Sequence, residues 1–253
     1  MIEELSFLER SLLLARLANT SYRDEASARK RGQQLGFTEI TFLNRDGAQA
    51  YCFSSKDDLV IACRGTEPGE WNDVRADLRA ALVAAETVGR VHRGFKQECD
   101  DLWALIVPHL RTAGTRKVWF CGHSLGAAMA TILASRCQHD IILPEVAELY
   151  TYGSPRVGNN RFCNALCVTH HRWVNNNDIV TRVPLWLMGY RHDGREHYIS
   201  SRGTLSASAG LHRAWDRLRG IAAGLVRLRF DSIADHSMPG YVVTLERIAR
   251  GGT

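Results

Sequence analysis

Lys117-Val-Trp-Phe-Cys-Gly-His-Ser-Leu-Gly-Ala-Ala-Met-Ala-Thr-Ile-Leu-Ala-Ser-Arg-Cys137 is the stretch whose reading decides the fold. Residues 117–121 read as a short buried strand, and residues 125–137 as a helix whose first turns carry almost no side chain. Between them Gly122, Ser124 and Gly126 turn the chain from strand to helix with no linker. Such a turn holds Ser124 in a strained backbone conformation, and a Cβ at either glycine would collide with the opposite limb of the turn. The serine hydroxyl is thereby lifted onto a sharp point, where a nucleophile belongs. A glycine-rich turn with an idle serine is the competing reading, and the strand before it and the helix after it argue against that.

Around this point the chain has the bulk of a single α/β domain. Its 253 residues can bury a sizeable core, and 45% hydrophobic with 23% charged residues are globular values without repeats or low-complexity tracts. We therefore expect one α/β domain over 1–253. The N-terminus carries Glu3 and Glu4 where an export signal would carry bases. Leu5, Leu8, Leu12 and Leu13 recur there at helical spacing, so an amphipathic packing helix is expected. No apolar run is long enough to cross a bilayer. Seven cysteines, an odd number scattered through apparent strands, fit buried reduced thiols better than a disulfide framework, and together these features favour a cytoplasmic address.

The net charge of +5 is unevenly spread. Residues 211–230 hold Arg213, Arg217, Arg219, Arg227 and Arg229 against Asp216, with Trp215, Leu218, Ala222 and Leu225 forming an apolar stripe if the segment is helical. Such a basic helix either lies on an anionic lipid surface or packs on the core as an ordinary surface helix. Nothing interleaves bases and aromatics as a nucleic-acid platform does, so no nucleic-acid partner is expected.

A serine hydroxyl needs a base to take its proton, normally a histidine held by a carboxylate, each at the end of a later strand. His92, His109 and His123 precede or touch Ser124, and His139 follows it too closely. Asp178 lies in a polar loop, Asn175-Asn-Asn-Asp178, that leaves an apolar segment. His236 lies in a second polar loop just ahead of an apolar helix that begins near Tyr241. His170, His171, His192 and His197 are weaker candidates, and spacing alone does not choose among them.

The ordered set Arg64-Gly-Thr66, Trp71, Asp77-Leu78, His92-Arg-Gly-Phe95, Gly122-His-Ser-Leu-Gly126, Tyr152-Gly-Ser-Pro-Arg-Val-Gly158, Asn177-Asp178 and His236 resembles the class 3 lipases, the fungal-lipase-like branch of the α/β hydrolases. The resemblance implies an α/β-hydrolase fold, a mostly parallel central sheet with helices on both faces, with Ser124 as nucleophile, His236 as general base and acid, and Asp178 as the orienting carboxylate. It implies an oxyanion hole from Thr66, by amide and hydroxyl, and from the Leu125 amide, which stands in a first helical turn where N–H groups lack intrahelical acceptors. It also implies a lid at about 67–76, whose large apolar groups are Trp71 and Val74 among charged residues; so polar a lid predicts weak dependence on a lipid interface. Arg64 and Asp77 are assigned an ion pair bracketing that segment.

The function expected is therefore a serine carboxylic-ester hydrolase, a triacylglycerol lipase or esterase, with lipid or other esters as substrates. The same machinery would serve a phospholipid sn-1 ester or a feruloyl-type ester, and a non-catalytic binding protein on a hydrolase scaffold is a third reading. No cofactor is expected. Cys163, Cys167, His170 and His171 lie close in sequence, but their spacing is irregular for zinc, and buried thiols with a strand histidine account for them better.

Overall fold

The computed structural model describes residues 1–65, 81–206 and 235–251. Strands β1 (Glu39–Arg45), β2 (Ala48–Ser54) and β3 (Asp58–Cys63) form an antiparallel meander at one edge of the main sheet. From β3 the sheet continues in parallel through β6 (Lys117–His123), β7 (Val146–Tyr152), β9 (His170–Asn175) and β11 (Arg195–Ile199). The two-residue β12 (Leu205–Ser206) closes the far edge antiparallel. A smaller antiparallel sheet is built from β4 (Leu82–Ala84), β5 (Arg90–His92), β8 (Gly158–Asn159) and β10 (Tyr190–Arg191), in the order β10-β8-β5-β4.

The central strands β3 and β6 are buried at nearly every position because both of their faces are covered. In β6, Val118 and Phe120 face one core, with α3 (Arg93–Arg111) and α4 (Leu125–His139) packed over them. Trp119 and Cys121 face the other, beneath α1 (Phe7–Thr20), α2 (Glu25–Gln34) and α6 (Met238–Ala249). The short α5 (Asn160–Ala165) lies beside β8 and sends Phe162 into the first core. The parallel run makes the carboxyl ends of β6, β7 and β9 neighbours. Loops that leave those ends meet in one place.

Two boundaries differ from the sequence expectation. α1 starts at Phe7, because Ser6 and Glu9 form a reciprocal capping box, and Leu5 is left ahead of the helix. Its deepest residues are Leu14, Ala15, Leu17 and Ala18, whose small alanines let it settle on the sheet. Leu8, Leu12 and Leu13 are half-buried at the margin of that contact. α6 starts at Met238, three residues before Tyr241, where the Ser237 hydroxyl accepts from the Gly240 N–H and Pro239 occupies the first turn.

Candidate active site

Ser124 sits between β6 and α4 with φ 61° and ψ −128°, a conformation costly for any residue with a side chain. A Cβ on Gly122 would strike the Gly126 carbonyl, the opposite limb of the turn. A Cβ on Gly126 would instead strike the Cys63 carbonyl at the end of β3. The second glycine is therefore demanded by the neighbouring strand rather than by the turn itself. The Ser124 N–H donates to the Tyr152 carbonyl at 3.0 Å, tying the elbow to the end of β7.

From β9 the chain turns through Asn176, at φ 41°, and delivers Asp178 to a buried position. Its Oδ1 accepts from the Val180 N–H at 2.9 Å, and its Oδ2 accepts from the Tyr241 hydroxyl at 2.7 Å. The carboxylate faces the His236 ring, whose Nδ1–H donates to Oδ1 at 3.0 Å and Oδ2 at 2.9 Å. On the other side of the ring Nε2 accepts from the Ser124 hydroxyl at 2.9 Å. A carboxylate only accepts, so the proton of the neutral imidazole is fixed on Nδ1 and Nε2 is free to take the serine proton. Ser124, His236 and Asp178 thus form one continuous hydrogen-bonded chain, brought together from residues 112 and 58 positions apart.

The loops that carry the acid and the base are stitched to one another. Asn175 Nδ2 donates to the Asp235 carbonyl at 2.9 Å, while Asp235 Oδ2 accepts from Asn176 Nδ2 at 3.0 Å and from the Asn177 N–H at 3.3 Å. The three asparagines that the sequence shows as a polar loop are a clasp. His123 braces the same histidine from below: its Nε2–H donates to the His236 carbonyl at 2.7 Å, and its Nδ1 accepts from the Tyr22 hydroxyl at 2.8 Å. The His123 and His236 rings lie 4.5 Å apart. Burial, with the nearby His236 as the next cause, pushes the His123 pKa well below its ordinary value, so it remains a neutral brace. Burial first, then the charge of Asp178, holds the Tyr241 hydroxyl well above the usual phenol range, so it stays a donor.

Gly153, at the exit of β7, completes the site by having no side chain. Its φ is 58°, and a Cβ there would lie 2.6 Å from Asp178 Oδ2 and 2.9 Å from His236 Cε1 and Nδ1.

Leu125 is the first residue of α4, directly after Ser124, so its N–H belongs to the donors that a helix start leaves without intrahelical acceptors. Thr66, Trp71, the lid stretch 67–76, Asp77 and the arginine-rich stretch 211–230 lie outside the described residues. Arg64 is described, and its Nη1 donates to Gln49 Oε1 at 2.7 Å.

The weaker histidines lie elsewhere. His170 accepts from the Thr151 hydroxyl and donates to Asp193, a chain of the same pattern whose hydroxyl is sealed between strands. His171 and His197 bond each other at 3.0 Å, and the half-buried His192 donates to the Thr181 carbonyl at 2.7 Å. Among the described residues no group of three or more His, Cys, Asp or Glu is arranged to hold a metal. Cys163 is buried, its thiol directed at the Arg191 carbonyl, whereas Cys167 is exposed.

Tyr241, His123, Tyr22 and Asp235 are the supporting residues that sequence reasoning did not assign to the site, whereas Gly153 belongs to the motif Tyr152-Gly-Ser-Pro-Arg-Val-Gly158. Only Gly153 had a local signal, as the residue after a strand in Tyr152-Gly-Ser-Pro.

A doubly covered parallel sheet, a strained strand-to-helix serine and a later acid and base at neighbouring strand ends define an α/β hydrolase with a Ser-His-Asp constellation. The chain belongs to the class 3 lipase family, whose pattern matches residues 60–188. It is 40% identical over 124 residues, 47% of its length, to the toxin TseL of Vibrio cholerae. It is 33% identical over 148 residues, 56% of its length, to the secreted mono- and diacylglycerol lipase 1 of Fusarium solani. To the lipase of Rhizomucor miehei it is 33% identical over 140 residues, 49% of its length. The matched stretches span 19%, 36% and 38% of those proteins' own lengths. In fold it is similar to the Rhizomucor miehei triacylglyceride lipase, with TM-score 0.69 and 21% identity over 90% of this chain and 92% of that one. A fungal lipase solved with an inhibitor gives TM-score 0.71 and 22% identity over 94% and 96%.

Proposed function

We propose that the chain is a serine carboxylic-ester hydrolase acting on acyl esters of lipids through an acyl-serine intermediate. The observation that carries this reading is the unbroken chain from Ser124 Oγ through His236 to Asp178. Ser124 Oγ attacks the ester carbonyl as its proton passes to His236 Nε2. Asp178 stabilises the imidazolium and stays ionised. The oxyanion that forms is met by the Leu125 amide and, on the family resemblance, by Thr66, each donor contributing about 3 kcal/mol. His236 then gives its proton to the leaving alcohol, and water releases the acyl group by the same steps in reverse order of roles.

Family membership and relatives named as mono- and diacylglycerol lipase and lipase favour acylglycerols as the substrate class. The whole of 1–253 is read as a single hydrolase domain, with 67–76 as its lid. Seven free cysteines, six of them buried, favour a reducing, cytoplasmic setting, although the Fusarium solani relative is named as secreted. Labelling with a fluorophosphonate probe tests the central claim. The native chain should react and Ser124→Ala should not; equal labelling of both would mean that another serine is the nucleophile.

A further inference from the structure

Leu185, Trp186, Leu187 and Met188 form a 3-10 turn that presents its side chains to solvent, 54, 58, 74 and 46% exposed in that order. Four consecutive large apolar residues left in water are unusual, and elsewhere among the described residues the exposed large hydrophobics occur singly or as the pair Ile141 and Ile142. Geometry keeps the tetrad outward. The Met188 and Gly189 N–H groups close the turn on the Leu185 and Trp186 carbonyls at 3.0 Å each. Arg191 Nη1 donates to the Trp186 and Tyr190 carbonyls, both at 2.8 Å. Arg156 holds the approach to the turn, its N–H on the Val183 carbonyl and its Nη1 on the Pro184 carbonyl, again at 2.8 Å. With the Trp186 carbonyl held by Arg191 and the approach at Val183 and Pro184 held by Arg156, turning the apolar side chains inward would break those bonds.

Position and charge say what this surface meets. The turn begins seven residues after Asp178, and Gly189 at its end lies against Leu82, close to where the chain re-emerges from the stretch 66–80. It therefore follows on from the loop that carries Asp178 and borders the strand β4 that leaves 66–80. Residues 154–165 and 179–192 contain Arg156, Arg161, Arg182 and Arg191 and no Asp or Glu. The Arg191 guanidinium lies 6.0 Å from the Trp186 ring centroid. An apolar tip with an indole at its shoulder and cations behind it matches the layering of an anionic lipid surface, hydrocarbon beneath a charged headgroup plane.

We propose that Leu185–Met188 is a membrane anchor that inserts into an anionic lipid surface and sets the mouth of the site against it. The choice of partner rests on the lipid-ester reading above. The polar lid expected from the sequence need not supply the greasy contact, because this turn does.

Co-sedimentation with vesicles of diether phosphatidylcholine containing about 30 mol% diether phosphatidylglycerol tests the anchor without any ester to cleave. The native chain should pellet with vesicles. Leu187→Asp should lower the partition at least about tenfold while its rate on a dissolved short-chain ester stays within about twofold. Ile142→Asp, in the exposed pair beyond the far end of α4, should bind as the native chain does. The anchor is overturned if the native chain does not pellet, if Leu187→Asp pellets undiminished, or if both variants lose binding equally. It is also overturned if Leu187→Asp only raises KM for the dissolved ester, which would make the turn a substrate contact. Absence of ester hydrolysis with vesicle binding intact would defeat the proposed function and leave the anchor standing.

Discussion

Replacing Tyr241 by Phe removes one oxygen from the interior and nothing else. The ring packs edge-on to Tyr152 at 6.1 Å and His123 at 6.0 Å between centroids, and phenylalanine keeps both contacts. What goes is a donor to Asp178 Oδ2 at 2.7 Å and an acceptor for the Asn175 N–H at 2.9 Å. The first is a hydrogen bond to a charged group, worth about 1.5–3 kcal/mol. The second leaves a sequestered N–H without its partner, at about 1–3 kcal/mol. Together they predict a loss of roughly 2.5–6 kcal/mol, a fall of about 5–24 °C in unfolding midpoint for a chain of this size. Asp178 keeps the Val180 N–H, so the carboxylate should loosen rather than leave, and kcat/KM on a soluble ester should drop about tenfold. Differential scanning calorimetry and initial rates on the same preparations measure both. An unfolding midpoint and a kcat/KM both within error of the native values would refute the idea that this hydroxyl holds the acid in place.

Gly153→Ala puts a methyl group 2.6 Å from Asp178 Oδ2 at a φ of 58°, so kcat/KM should fall at least about 100-fold, while probe labelling of Ser124 slows in parallel. Burial lowers the pKa of His92, His171 and His197 to about 4 each. In the unfolded chain these groups gain protons near pH 6.5 and in the folded chain only near 4, so stability should be full above about 6.5 and decline as pH falls between those values. At roughly 1 kcal/mol for each, the midpoint should drop by about 5–10 °C by pH 4.5, and a flat profile would contradict the buried, neutral state of these rings. Because an imidazole and not a metal-bound water activates the nucleophile, ester hydrolysis should persist in EDTA; loss that zinc or calcium restores would count against the mechanism.

The nucleophile was legible because its demands are local: a strand, two glycines around a serine and a bare helix must be adjacent in sequence. Asp178 and His236 were legible only as polar loops after apolar segments, and a resemblance was needed to choose them. Their supports were not legible at all. Tyr22, His123 and Tyr241 are an ordinary turn tyrosine, a strand histidine and a helix tyrosine until the sheet is assembled, and their bonds join residues 63 to 113 positions apart. His123 was discarded as a base because it touches Ser124 in sequence, yet that adjacency is what lets it brace the base. The start of α6 could have been read more closely, since Ser237-Met-Pro239 is a cap followed by a first-turn proline. The exposed tetrad at 185–188 is plain in the sequence as Leu-Trp-Leu-Met, but four apolar residues in a row read equally as core.

The clasp between the Asn175 loop and Asp235, and the seat of α6 against α1, also set a schedule. The segment from 60 to 188 carries the serine and the acid but neither the imidazole nor the tyrosine on the helix behind it. On the proposed mechanism, a chain whose Ser124 has already emerged therefore stays inert until residues 235–249 emerge and dock.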